Sequence, residues 1–333
     1  MKEPHRILAL DGWRAIGALM VIISHLFYGS IDWLGWLGVQ IFFVISGYII
    51  SAGFLREEMH FSDISLSGFY VRRAFRILPP LALYVAVIVA LASTEAVPAH
   101  SMRAAYSLLF VCDLRNANCG GWLGAHTWSL SVEEQFYAVI PILFIWLGSK
   151  RRAALTLSAF SMPIFVIVLF FFKFTETAKF LSQFLAIGWG VACALNESTV
   201  QKIISRMPSG SLGMLILAIL LVASQSGSRF ATILNAIALS PLLVFLLMRT
   251  LTTPSLLSRI LSSAPFASLG LASYSLYLWQ QLAVWPAVAH GNLVLAIAAL
   301  SVCVVFCFAS YFLFERPFIR RGRKLAATMR VHF

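Results

Sequence analysis

From Leu8 to Tyr28 the sequence reads LALDGWRAIGALMVIISHLFY, an apolar run long enough to cross a bilayer as one helix, yet it carries Asp11, Arg14 and His25. At ~100° per residue the step from Arg14 to His25 returns to within about 20° of the same face, so both side chains look the same way. Asp11 stands near enough to that face to pair with Arg14, which would ease the cost of an arginine below the headgroups. Ionisable groups in membrane helices usually line an interior or a wet cavity. Of the three, only His25 passes a proton near neutral pH, which makes it the first candidate for proton transfer. The competing reading is structural, with Arg14 snorkelling to the interface and His25 capping a helix.

A chain of 333 residues that is 60% hydrophobic and 11% charged, with a mean hydropathy of +0.87, is too apolar for a soluble globule of this length. It is expected to be an all-α, polytopic helical membrane bundle. The first run is not expected to be a cleavable signal, because Asp11 and Arg14 interrupt it and no small-x-small site follows before Trp33. Ten apolar spans are predicted, over 7–29, 33–55, 77–97, 126–147, 153–172, 180–196, 211–225, 230–248, 265–286 and 293–314. Spans six and seven are short for the hydrocarbon thickness. With the N-terminus inside, nineteen of the 25 basic residues fall on the inner side, which predicts both termini in the cytoplasm. The net charge of +12 then reflects an inner face against anionic lipid and needs no nucleic acid. The connection over 98–125 is too short for a core of its own, and the basic tail 315–333 is expected to be an interfacial helix or disordered. No internal repeat, CxxC or HExxH is present, so one membrane domain over 1–333 and no metal site are predicted.

Several polar features break this apolar background. Cys112 and Cys119 share the CDLRNANCGGW loop, where an oxidising compartment would allow a local disulfide, while Cys193, Cys303 and Cys307 lie in spans as small apolar residues. In GVQIFFVISGYIIS, Gly38 to Ser51, the small residues Ser46 and Gly47 permit either close helix approach or a ligand groove. Arg72, Arg73 and Arg76 precede the third span. They serve as a topology signal or, as guanidinium forks, as a phosphate site, with Pro79 and Pro80 locking the chain beyond them. Glu133 and Glu134 open the fourth span. Being ~100° apart they cannot point one way, and one of them is a candidate to orient His25, which helix rise puts at a similar depth in the outer half. Ser273, Tyr274, Tyr277, Gln280 and Gln281 form a polar stripe in the ninth span, and Glu315 closes the tenth where it could meet the arginines.

Arg14 with ten residues before His25, FFVISGY at 42–48, RRAFR at 72–76, TWSLSVEEQFY at 127–137, SYSLYLW at 273–279 and FERPF at 314–318 together resemble the membrane-bound acyltransferase 3 family. The resemblance implies a ten-helix enzyme that moves an acyl group, most often acetyl from cytoplasmic acetyl-CoA, onto a hydroxyl. The acceptor it implies is a carbohydrate or lipid-linked glycan such as O-antigen, in the bacterial inner membrane, with a macrolide-type small molecule as the alternative. Acyl-CoA enters as co-substrate, and no permanently bound cofactor is expected. The resemblance gives Arg14 and His25 catalytic roles, and the residue reading adds Glu133 or Glu134 to orient His25. Arg73, Arg76 and the FFVISG segment, with Arg72, become donor-site elements, and Asp11, Tyr277, Gln280 and Glu315 support. Where many members have histidine after SYSLYLW this chain has Gln280, which leaves more of the proton transfer to His25. With no fused esterase-like domain, the chain resembles the stand-alone type. A proton-coupled transporter would also need buried His, Arg and Glu, but no inverted repeat with paired broken helices is evident. A sensor would need an output domain, which the sequence does not contain.

Overall fold

The computed structural model describes residues 7–93, 101–114, 119, 121–174, 177, 181–208, 210–224 and 235–331. Among these every regular element is helical. The main helices are α1 (Leu8–Leu26), α2 (Asp32–Phe61), α3 (Leu66–Ser93), α4 (Thr127–Leu147), α5 (Arg151–Phe171), α6 (Leu185–Leu195), α7 (Glu197–Ser205), α8 (Ser211–Ser224), α9 (Ser240–Thr252), α10 (Leu256–Leu261), α11 (Ala264–Leu271), α12 (Ser273–His290), α13 (Leu293–Ser310) and α14 (Arg316–Val331). Among the described residues five helical stretches are long and apolar enough to cross a membrane: α1, α2, α3, Trp122–Leu169 and Leu293–Met329. Apolar side chains such as Leu157, Ile164 and Phe165 on α5 and Val294, Val302 and Val305 on α13 are exposed, as lipid-facing residues are. The protein is an all-helical integral membrane bundle.

Each of the ten predicted apolar segments contains a helix, but their shapes differ from ten uniform rods. The stretch Trp122–Leu169 is divided at Gly148, whose φ of +48° lies in the left-handed region that a glycine adopts without a Cβ penalty. That leaves α4 and α5, 21 residues each and so ~31 Å long, sufficient for a crossing apiece. By contrast α6 has 11 residues, about 16 Å, and cannot span the hydrocarbon alone. The ninth segment, expected as one helix over 265–286, is broken at Ala272 into α11 and α12. Pro79 and Pro80, expected to lock the chain beyond the arginines, lie inside α3, which begins at Leu66 and runs through both. Nearby, Tyr274 Oη donates to the Ile77 carbonyl at 3.0 Å and so ties α12 to α3 beside the two prolines. The basic tail, left open between interfacial helix and disorder, is helical as α14 and packs on α3.

Two compact units are present. The first comprises Met1–Arg56 with Leu147–Ser273, and the second Glu57–Trp146 with Tyr274–Phe333. Small residues make the helix crossings of the first. A Cβ on Gly12 would overlap the Leu261 backbone, one on Gly270 the Asp11 backbone, and one on Gly38 the Gly17 carbonyl, so α1 is held closely by α10, α11 and α2. A buried 2.8 Å hydrogen bond from Trp13 Nε1 to Thr250 Oγ1 ties α1 to α9 as well. Elsewhere in this unit Asn196 donates to Thr156 Oγ1 at 2.7 Å and accepts from Arg152 Nε at 3.0 Å, fastening α5 where α6 ends.

In the second unit the segment before α4 is pinned to its first turns. Ser107 and Thr127 hydroxyls lie 3.0 Å apart, Cys112 N donates to Ser131 Oγ at 3.1 Å, and Gln135 Nε2 reaches Phe110 O at 2.9 Å and Asp113 Oδ1 at 2.8 Å. Cys112 and Cys119 form the disulfide that the sequence allowed, with Cα atoms 5.7 Å apart. Burial pushes the Asp113 carboxyl up from its ordinary range, opposed by hydrogen bonds from its own backbone and Gln135. With the folded value above the unfolded one, that contribution is most favourable at acid pH and is lost as pH rises through the folded value. Closing a loop of sequence separation 7 is worth about 2 kcal/mol. Cys112→Ser or treatment with dithiothreitol is therefore expected to lower the thermal midpoint by a few degrees, read by tryptophan fluorescence in detergent, while a Cys193→Ser control leaves it in place.

Candidate active site

In the first unit Arg14 and His25 are both half-buried on α1. Packing explains why α1 is so placed: its buried face is Ala9, Trp13, Ala18, Val21 and Ser24, and Gly35 of α2 lies against Ser24. His25 follows Ser24 in the last turn, beside this crossing and outside its tightest contact. Arg14 makes no ion pair among the described residues, so the expected pairing with Asp11 is not formed. The two residues are offset by a sixth of a turn, and the Asp11 backbone is pressed against Gly270 of α11. Among the described residues the guanidinium thus has no ion-pair partner.

Gly47 and Ser46 turn out differently from a ligand groove. A Cβ on Gly47 would overlap the Ile187 carbonyl, and one on Gly190 the Val44 carbonyl, so α2 and α6 cross with backbones in contact. Ser46 is buried at the same crossing. The missing side chain makes room for a helix, not for a pantetheine arm. A small cavity in this unit is lined by Trp13, Ile41, Val44, Leu243, Leu246 and Leu247 and is almost entirely apolar.

The second unit gathers the arginines and carboxylates. Arg72 Nη2 pairs with Glu57 Oε2 at 3.3 Å, and Glu57 also accepts from Ser65 N at 3.2 Å. The Arg73 guanidinium lies 4.6 Å from the Tyr137 ring centroid and 5.7 Å from that of Phe69, a cation–π seat that fixes its direction. Tyr137 in turn donates to Glu133 Oε1 across one turn of α4. Glu134 points elsewhere, as the ~100° step requires, and its Oε1 is buried without a hydrogen-bond partner among the described residues. Arg76 is close enough for its charge to act on both Glu134 and Glu315. Glu315 is only 2% exposed and accepts the Ser275 hydroxyl. Of the α3 arginines, Arg76 is the one whose charge reaches Glu315.

The polar stripe of α12 is used for interhelical bonding. Besides Tyr274 to Ile77, Tyr277 Oη donates to the His126 carbonyl at 2.9 Å and lies 2.5 Å from Ser129 Oγ. Gln280 and Gln281 are fully buried beyond it. One residue escaped sequence reading. His126 is 3% exposed, with its ring tilted against Tyr277 at 5.3 Å and edge-on to Tyr84 at 5.6 Å. Its only signal was its place immediately before TWSLSVEEQFY.

A histidine and an uncommitted guanidinium on one membrane helix can deprotonate a hydroxyl and steady developing negative charge. The arginine and carboxylate group can bind an anion while exchanging protons. This chemistry agrees with what the sequence matches: residues 7–314 fit the family described as the acyltransferase domain, and the chain belongs to the acyltransferase 3 family. Among its relatives, a Staphylococcus aureus strain COL protein provisionally named an O-acetyltransferase is 27% identical over 97% of this chain and 59% of its own length. The O-acetyltransferase OatA of Staphylococcus aureus strain NCTC 8325 is 26% identical over 84% of this chain and 51% of its own. The chain therefore spans between half and three fifths of the length of these relatives. No solved structure matches it.

Proposed function

We propose that the chain is a membrane O-acyltransferase that moves an acyl group, acetyl in the first instance, from acyl-CoA to a hydroxyl of a cell-envelope or exported glycan. The observation that carries this reading is His25 and Arg14, the latter ion-paired by no described residue, on one face of α1 in a chain whose relatives are named O-acetyltransferases. In the proposed reaction the His25 imidazole takes the acceptor hydroxyl proton as the oxygen attacks the thioester carbonyl. Arg14 offsets the oxyanion, and the CoA thiolate leaves and recovers the proton from the imidazolium. Arg72, Arg73 and Arg76 are the proposed anchors of the donor's phosphates. Ten crossings, both termini in the cytoplasm and residence in the bacterial inner membrane belong to the same proposal, supported by the charge asymmetry of the loops. So do a carbohydrate or lipid-linked acceptor and an acyl-CoA partner.

The test is sidedness. In sealed vesicles of defined orientation, acetyl-CoA given only on the face bearing Arg72–Arg76 is expected to support acylation of a glycan acceptor present only on the other. Turnover that requires donor and acceptor on one face would reassign the acceptor to a cytoplasmic small molecule. No acyl transfer in either arrangement, with the protein folded, would remove the enzymatic reading.

A further inference from the structure

We propose that Arg323, on α14, completes with Arg72 and Arg73 a phosphate-binding site that takes the 3′-phosphate of the CoA donor. This rests on the donor reading above and extends it to a helix that the reading did not use. The geometry begins at Gly322. A Cβ there would overlap the Phe75 side chain, so α14 approaches α3 as closely as a glycine allows. Arg72 lies one turn before Phe75, and the charge of Arg323 acts on Arg72 together with that of Arg73. The close approach of one glycine thus brings a charge from the C-terminal helix within electrostatic reach of Arg72.

Guanidiniums within electrostatic reach of one another repel unless an anion lies among them. Glu57 supplies one carboxylate, and its oxygens are already engaged by Arg72 and the Ser65 backbone. Arg73 is held by aromatic rings that direct it without neutralising it. Arg323 is exposed, and no described residue pairs with it. The cluster therefore carries surplus positive charge with one fork open to water. A phosphate monoester, with a charge of about −2 and three acceptor oxygens, matches it better than a carboxylate does.

Within acyl-CoA, the 3′-phosphate is on the adenosine ribose, at the end of the molecule opposite the thioester. If the thioester enters the membrane to react, that phosphate stays at the water surface, where an exposed arginine can reach it. A lipid headgroup presents the same chemistry, and the experiment separates the two sources.

Turnover is measured in vesicles of neutral phosphatidylcholine with acetyl-CoA and with its 3′-dephospho analogue, and binding of adenosine 3′,5′-bisphosphate is measured in detergent. Arg323→Ala is expected to raise KM for acetyl-CoA about tenfold, the scale of one charge-assisted hydrogen bond, with kcat unchanged and KM for the dephospho donor nearly unmoved. Arg323→Lys should recover part of the loss, because it restores charge without the fork. Arg320→Ala, an exposed arginine on the same helix, should change neither constant. Equal KM increases for both donors, or none for either, overturns the proposal, as does an Arg323→Ala defect that appears only in vesicles with anionic lipid. If wild-type protein binds the bisphosphate through Arg323 yet transfers no acyl group, the phosphate site stands and the enzymatic reading falls.

Discussion

His25→Ala is expected to leave a folded protein in the membrane whose acyl transfer is reduced by about 10²- to 10⁴-fold, the usual weight of a general base. The fold should survive because α1 is seated by other residues. Gly12 is closed against Leu261, Trp13 bonds Thr250, and Ser24 meets Gly35, whereas the His25 side chain is half-buried outside these contacts. His25→Gln, which keeps hydrogen bonding but cannot carry the proton, should be as inactive as the alanine variant. Arg14→Lys should also fail if the planar fork is what the oxyanion needs, and a lysine that restores turnover would reduce Arg14 to a point charge. Thermal stability and turnover measured on the same preparation separate chemistry from folding. Near-normal turnover in His25→Ala would move the base elsewhere, and His126, buried between Tyr84 and Tyr277, is then the residue to examine.

Gly47→Ala is expected to destabilise the first unit at the upper end of about 1–3 kcal/mol, and Gly47→Leu to abolish its folded yield. The added Cβ meets a backbone carbonyl of α6, and a backbone cannot swing away as a side chain does. Gly190→Ala should act alike, because it closes the same crossing from the other helix. Gly53→Ala is the matched control. It lies on α2 with nothing within 4 Å of its Cβ position, so alanine there should be neutral or stabilise by up to about 1 kcal/mol through helix propensity. Folded yield and thermal midpoints in detergent compare the three. If Gly47→Ala is as benign as Gly53→Ala, the space beside Gly47 is open and the ligand-groove reading returns.

The contrast at Gly47 shows where sequence reading succeeds and where it stops. Apolar length alone locates a helix in each of the ten segments, because a backbone in hydrocarbon has no other way to satisfy its polar groups. The Glu133–Glu134 divergence is equally legible, being set by the 100° step of one helix. Pairings between distant segments are not. That Gly47 closes on Ile187, that Arg14 is left without Asp11, or that Gly322 brings Arg323 to Arg72 depends on which helices touch. Small residues license a close approach without naming the partner. His126 was missed for a related reason: its ring is set against Tyr84 and Tyr277 of other helices, which its place before TWSLSVEEQFY does not show. Pro79 and Pro80 are taken up inside α3, and no local signal shows that Tyr274 of α12 bonds the Ile77 carbonyl beside them.

The segmentation of the second unit also bears on how the protein is made. Its two stretches, Glu57–Trp146 and Tyr274–Phe333, are separated in the chain by part of the first unit. During synthesis α3 therefore enters the membrane with its α14-facing side uncovered, and its arginines wait for a helix that the ribosome has yet to deliver. Over that interval Phe75 and the guanidiniums beside it present a sticky, highly charged surface of the kind that chaperones and quality-control proteases inspect. A nascent chain stopped before α14 would be inserted but unfinished, and its removal by proteolysis would be a measure of biogenesis independent of any catalytic assay.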